Sequence, residues 1–108
     1  MTVWKKLVRD KICDKLERRG IRCETTIVPE DERQAHLLQK LVEEANECLQ
    51  ASDEDLDDEL ADVLEVVEAI IAVTPGINLE HVRARQVQKK MFKGGFERGV
   101  FLISTEGE

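Results

Sequence analysis

Apolar positions in the middle of the chain recur at three- and four-residue spacing. Leu37, Leu38, Leu41, Val42, Ala45, Cys48 and Leu49 form one stripe and predict a helix over residues 30–51. Pro29 stands where such a helix can begin. A second periodic stretch predicts a helix over residues 53–73, with Ser52 as N-cap and Asp53, Glu54 and Asp55 complementing its N-terminal dipole. The second half of that stretch changes character. Val63, Leu64, Val66, Val67, Ala69, Ile70, Ile71, Ala72 and Val73 cover nearly every direction around the axis, so this helix must be buried on several sides. In a short chain another subunit is one source of that cover, which predicts a helix-mediated homodimer or homotetramer.

Weaker patterns flank this pair. Residues 8–19 read as a first helix stopped by Gly20, a residue suited to the position just past a helix end. Residues 21–28, rich in β-branched side chains, fit either a short strand or an extended connection, and periodicity does not choose between them. Thr74-Pro75-Gly76 breaks the chain, Asn78 can cap a fourth helix over residues 79–93, and Gly94-Gly95 ends it. The tail, 96–104, closes in the apolar run Val100-Phe101-Leu102-Ile103, expected to dock as an extended segment. The whole predicts an all-α, four-helix bundle-like fold. A single domain over residues 1–108 is expected, with a short extended segment after the first helix and an extended C-terminal tail.

Composition agrees with helix packing. Trp4, Phe92, Phe96 and Phe101 are the four aromatic residues and Tyr is absent, so the core must be aliphatic. No stretch is long and apolar enough to span a membrane, and the opening Met-Thr-Val-Trp-Lys-Lys lacks the apolar run of a signal peptide. Cys13, Cys23 and Cys48 are odd in number and show no metal-type spacing. These features predict a reduced, cytoplasmic protein.

Charge is segregated within the net −7. Residues 43–68 hold twelve acidic residues and no Lys or Arg, residues 1–22 hold eight basic and three acidic, and residues 83–98 hold six basic and one acidic. An acidic centre between basic ends can bind a metal and an anion together. Equally, the basic helices can neutralise the acidic ones within one bundle. The acidic centre weighs against a nucleic-acid partner, whose phosphates it would repel.

Two acidic pairs carry the sharper chemistry. Glu44 and Glu47, then Glu59 and Asp62, are three apart on consecutive helices, so each pair shares a face. A hairpin of the two helices lets four carboxylates converge on a divalent cation. Ordinary surface acids would also give such pairs by chance. Yet both pairs border the apolar stripe, where burying carboxylates without a cation is costly. His36 and His81 lie away from both pairs, which removes the Glu-x-x-His motifs of a di-iron bundle and disfavours zinc. Oxygen-only ligation points to Mg²⁺, with Mn²⁺ possible.

Cations complete the candidate site. Arg9 and Lys11 open the first helix, Lys40 lies one turn before Glu44, and Arg85 and Lys89 are four apart on the fourth helix. These are the candidate phosphate contacts, although Lys40 can instead pair with Glu44 along its own helix. Gly94-Gly95 either offers backbone N–H groups to a phosphate or serves only as a helix stop.

These residues resemble a known signature. Glu44-x-x-Glu47 followed by Glu59-x-x-Asp62 is similar to the metal motif of the all-α nucleoside triphosphate pyrophosphatases, the MazG-like superfamily. Lys6-Leu7-Val8-Arg9-Asp10-Lys11-Ile12 and Gly94-Gly95-Phe96-Glu97-Arg98-Gly99-Val100-Phe101-Leu102 resemble the opening and close of its phosphoribosyl-ATP pyrophosphohydrolase-like branch. That branch usually has Pro where this chain has Cys13, and Arg where it has Lys93. The resemblance implies a MazG-type domain and Mg²⁺-dependent hydrolysis between the α and β phosphates of a nucleoside triphosphate or phosphoribosyl nucleotide. Glu44, Glu47, Glu59 and Asp62 would hold the metal, with Glu44 or Glu47 as the general base. A non-catalytic oligomeric helical module on the same fold is the rival expectation.

Overall fold

A computed structural model describes residues 1–107. Four helices and no strand occur among them: α1 (Ile12–Arg18), α2 (Glu30–Gln50), α3 (Leu56–Val73) and α4 (Leu79–Lys93). The chain is an all-α, helical bundle-like protein. It divides into two compact units, Met1–Gly76 and Ile77–Glu108. No helix among the described residues is long and apolar enough to cross a membrane.

The first unit is built on the α2–α3 hairpin. The short connection of residues 51–55 leaves the helices only an antiparallel arrangement. Leu37, Leu41, Glu44 and Cys48 of α2 and Glu59, Asp62, Val63, Val66 and Ile70 of α3 are among the partly or fully buried positions. Val66, 7% exposed, is the buried hydrophobic residue at the centre. The open end of the hairpin is tied by Gln34 Nε2, which donates to Thr74 Oγ1 at 3.0 Å, while that hydroxyl donates to the Ile70 carbonyl of its own helix at 2.6 Å.

Helix α3 starts later than the expected residue 53. Residues 53–55 form a turn closed by the Asp55 N–H on the Ser52 carbonyl at 3.1 Å. Ser52 is therefore not the N-cap. Asp55 holds that position, and the Ser52 hydroxyl donates to its Oδ2 at 3.3 Å.

The first helix is also shorter than the expected 8–19. Residues 1–9 are irregular and Lys5 has φ +47, a left-handed conformation costing a non-glycine residue about 1–2 kcal/mol. Two side chains explain why helix does not extend back to residue 8. Lys6 Nζ pairs with Glu43 at 3.5 Å and Arg9 Nη2 with Asp62 at 2.7 Å, so the segment is tied to both helices of the hairpin. After α1, Gly20 takes φ +83 and the Ile21 N–H bonds the Leu16 carbonyl at 3.0 Å, a turn that suits glycine. Residues 21–29 form an extended connection, fastened where Arg33 Nε donates to the Val28 carbonyl at 3.0 Å.

In the second unit, Asn78 caps α4 as expected, its side chain accepting the His81 N–H at 2.8 Å. Such a cap contributes about 1 kcal/mol. Gly94, at φ +84, ends the helix with its N–H on the Lys90 carbonyl at 2.9 Å. Gly94 thereby acts as a helix stop. The tail carries Val100, Phe101, Leu102 and Ile103 exposed, not docked as the apolar run suggests.

Candidate metal centre

The hairpin brings the two acidic pairs together. Glu47 and Glu59 each lie six residues from Asp53 in the connection, and Glu44 and Asp62 each lie nine. Symmetry about the turn therefore sets Glu47 opposite Glu59 and Glu44 opposite Asp62. Glu44, Glu47, Glu59 and Asp62 each offer a carboxylate oxygen, and these four atoms all lie within 4.8 Å of one another.

Such crowding has an electrostatic signature. Glu44 is buried, at 6% exposure, and its carboxyl is raised above the usual carboxylate range. Burial is the largest cause, followed by the hydrogen bond and charge of Glu47; Lys40 opposes the shift and Asp62 adds to it. Glu59 is raised by burial, then by the hydrogen bond and charge of Glu47, then by Asp62 and Asp55. Glu47 thus stands between Glu44 and Glu59 and presses on both. Two oxygens, Glu44 Oε2 and Glu59 Oε2, are out of contact with solvent and accept no hydrogen bond. Buried anionic oxygens without a donor are expensive.

A divalent cation fits this environment. Opposite ligands are about 4.0–4.2 Å apart on Mg²⁺ and about 4.6–5.2 Å apart on Ca²⁺. A 4.8 Å spread is within the reach of the oxygen shell of a divalent cation. Cys48 lies beside the quartet, and burial, then Glu59, Glu44, Glu47 and Asp62, push its thiol up. A protonated thiol is a poor ligand, which leaves an all-oxygen donor set suited to a hard cation.

The helix ends work unequally on the four groups. Glu59 lies in the first turn of α3, where the dipole favours an anion. Glu47 lies near the end of α2, whose last turn has no basic residue, and there the dipole disfavours one. The C-terminal side of α2 therefore has most to gain from a cation.

The candidate cations take different places. Arg9 reaches Asp62 directly. Lys40 sits 3.5 Å from Glu44 Oε1 and 3.1 Å from Glu43 Oε2, so it meets the quartet by pairing along its own helix. Lys11 occupies the N-cap position of α1 and is exposed. Arg85 and Lys89 are exposed on α4, in the second unit. Two contributors escaped the sequence reading, Lys6 and Glu43. The spacing of Lys40 and Glu43 signals one helical pair, whereas no local signal joins Lys6 to Glu43 across 37 positions.

Comparison of the chain with protein-family models, with curated proteins and with solved structures gives no match.

Proposed function

We propose that this protein is a divalent-cation-dependent nucleotide pyrophosphohydrolase, cleaving between the α and β phosphates to release a nucleoside monophosphate and pyrophosphate. One observation carries the reading. Four carboxylates from facing helices converge within 4.8 Å, and two of their oxygens are buried without a donor. The similarity of Glu44-x-x-Glu47 and Glu59-x-x-Asp62 to the pyrophosphatase signature supplies the reaction class.

Glu44, Glu47, Glu59 and Asp62 would hold Mg²⁺. When bound, the cation supplies charge neutralisation for the triphosphate and acidifies a water ligand. Glu47 is the better placed of the two candidate bases, since it is exposed while Glu44 is buried. It can accept a proton from an incoming water while Glu44 remains in the buried set. Arg9, at the rim on Asp62, can turn from the carboxylate to a phosphate as negative charge arrives. Lys40 would hold Glu44 and Glu43 in place. Lys11, Arg85 and Lys89 are further phosphate contacts under this reading.

A homodimer or larger homo-oligomer belongs to the same proposal. Leu38, Val42 and Leu49 of α2 and Leu60 and Leu64 of α3 are exposed. Helical spacing places them on the flank of the hairpin away from Lys40, Glu47 and Asp62. A second copy would cover that flank and leave the carboxylates open. With Cys13, Cys23 and Cys48 all free, a reducing, cytoplasmic setting suits the chain.

The test is pyrophosphate release from canonical and modified ribo- and deoxynucleoside triphosphates, with Mg²⁺ and with EDTA, beside the Glu47→Gln variant. Metal-dependent release that the variant lacks establishes the reaction. Stabilisation by Mg²⁺ without turnover of any nucleotide would favour the non-catalytic helical module.

A further inference from the structure

A cleft of about 190 Å³ lies between the N-terminal segment and α2, walled by Lys5, Lys6, Leu7, His36, Gln39, Lys40 and Glu43. Three lysines and one glutamate line this small space. Lys40 joins the cleft to the metal centre, for its Nζ lies 3.1 Å from Glu43 and 3.5 Å from Glu44. Lys6 shares Glu43 from the other side at 3.5 Å. Glu43 is thus shared between Lys6 and Lys40, and Lys40 also faces Glu44.

Lys5 is left over. It makes no ion pair among the described residues, and its backbone is held at φ +47. Observed strain of this kind is a reason to look for a function. The strained residue is one of those that line the cleft. His36 and Gln39 add side chains able to donate neutral hydrogen bonds. A cleft with surplus positive charge and several N–H donors is built for a multiply charged oxyanion.

We propose that this cleft binds the pyrophosphate portion of the nucleotide, so that the phosphate chain runs along α2 from the carboxylate quartet toward His36. From Glu44 to His36 is two turns of helix, about 12 Å along the axis. The identity of the ligand rests on the nucleotide reading of the quartet, while the surplus charge of the cleft stands without it. The leaving pyrophosphate would then be neutralised by lysines on one side and by the cation on the other. Such a site would also discriminate a triphosphate from a diphosphate, which cannot reach as far along α2.

Calorimetric titration of the full chain with inorganic pyrophosphate in EDTA tests this directly. Trp4 fluorescence is read in parallel, since Lys6 Nζ lies 5.1 Å from the centre of that ring and Trp4 is the chain's single tryptophan. Saturable binding is expected, with sulfate much weaker. Lys5→Gly should weaken pyrophosphate about tenfold, equivalent to about 1.4 kcal/mol. Glycine suits φ +47, so this variant keeps the fold, which circular dichroism checks. Glu47→Gln, which removes one negative charge near the cleft, should not weaken pyrophosphate binding. No saturable binding, equal affinity for sulfate, or binding that Lys5→Gly leaves untouched would each overturn the proposal. Pyrophosphate binding without nucleotide hydrolysis would keep the anion cleft and sink the pyrophosphohydrolase reading. Hydrolysis without metal-free pyrophosphate binding would do the reverse.

Discussion

Arg9 Nη2 donates to Asp62 Oδ1 at 2.7 Å, across 53 positions of sequence. A residue that looked like a phosphate ligand is thus engaged with one of the candidate metal ligands. The pair is partly exposed on both sides, so it contributes only about 0.2–1 kcal/mol to stability. Its larger effect is on the quartet, where it neutralises one of four crowded carboxylates. Cation and guanidinium therefore compete for Asp62.

Removing Arg9 should separate these roles. In Arg9→Ala, Mg²⁺ binding without nucleotide should tighten by up to about fivefold, because the competing charge is gone. The KM for nucleotide should rise. Calorimetry and steady-state kinetics read the two effects. Weaker Mg²⁺ binding in the variant would mean that Arg9 orders the site and does not compete for it.

Glu47 presses on both Glu44 and Glu59. Glu47→Gln should abolish hydrolysis while leaving helical content intact. Relief of like-charge crowding by about 1 kcal/mol would raise the metal-free Tm by roughly 4–8 °C. A lower Tm with loss of helix would show that Glu47 is a structural partner of the hairpin and not a ligand.

The raised carboxyls set a pH dependence for the metal-free protein. Glu44 and Glu59 both stand above the ordinary 4.5 in the folded chain, chiefly through burial and then through Glu47. The folded state therefore holds protons more tightly than the unfolded one. Their contribution to stability is fully present below pH 4.5 and is lost as pH rises through the raised values. Glu43, lowered by Lys40 and Lys6 against its own burial, acts in the opposite sense as pH falls. In EDTA, Tm should decline from about pH 4.5 toward neutrality, and Mg²⁺ should remove the decline. A flat profile in EDTA would contradict the burial of Glu44 and its crowding with Glu47.

The exposed flank of the hairpin gives a prediction about assembly. Light scattering should report a dimer or larger oligomer, and Val42→Glu or Leu64→Glu should yield monomers. A monomeric wild-type chain would leave Leu38, Val42, Leu60 and Leu64 to be covered in some other way. It would remove the oligomer from the proposed function.

Much of the hairpin was legible in the sequence because its causes are local. Three-four spacing of Leu37, Leu41, Val42 and Leu49 marks α2, and the same rule places Glu44 beside Glu47 and Glu59 beside Asp62 on their helices. The Asn78 cap depends on a side chain and an N–H three residues apart, and it was equally readable. The start of α3 was not. Ser52 is as good a cap residue as Asp55, and a tight turn before the helix decided between them.

The sequence by itself determined that this is a helical protein whose acidic pairs share faces on consecutive helices, because backbone periodicity and short-range spacing settle both. Only the tertiary structure decided what those pairs meet. Convergence within 4.8 Å, the buried oxygens of Glu44 and Glu59, the reach of Arg9 to Asp62 and of Lys6 to Glu43, and the strained Lys5 all depend on how the 1–9 segment and the two helices pack. Contacts between residues 37 or 53 positions apart carry no local signature, since long-range packing, and not local preference, holds them in place.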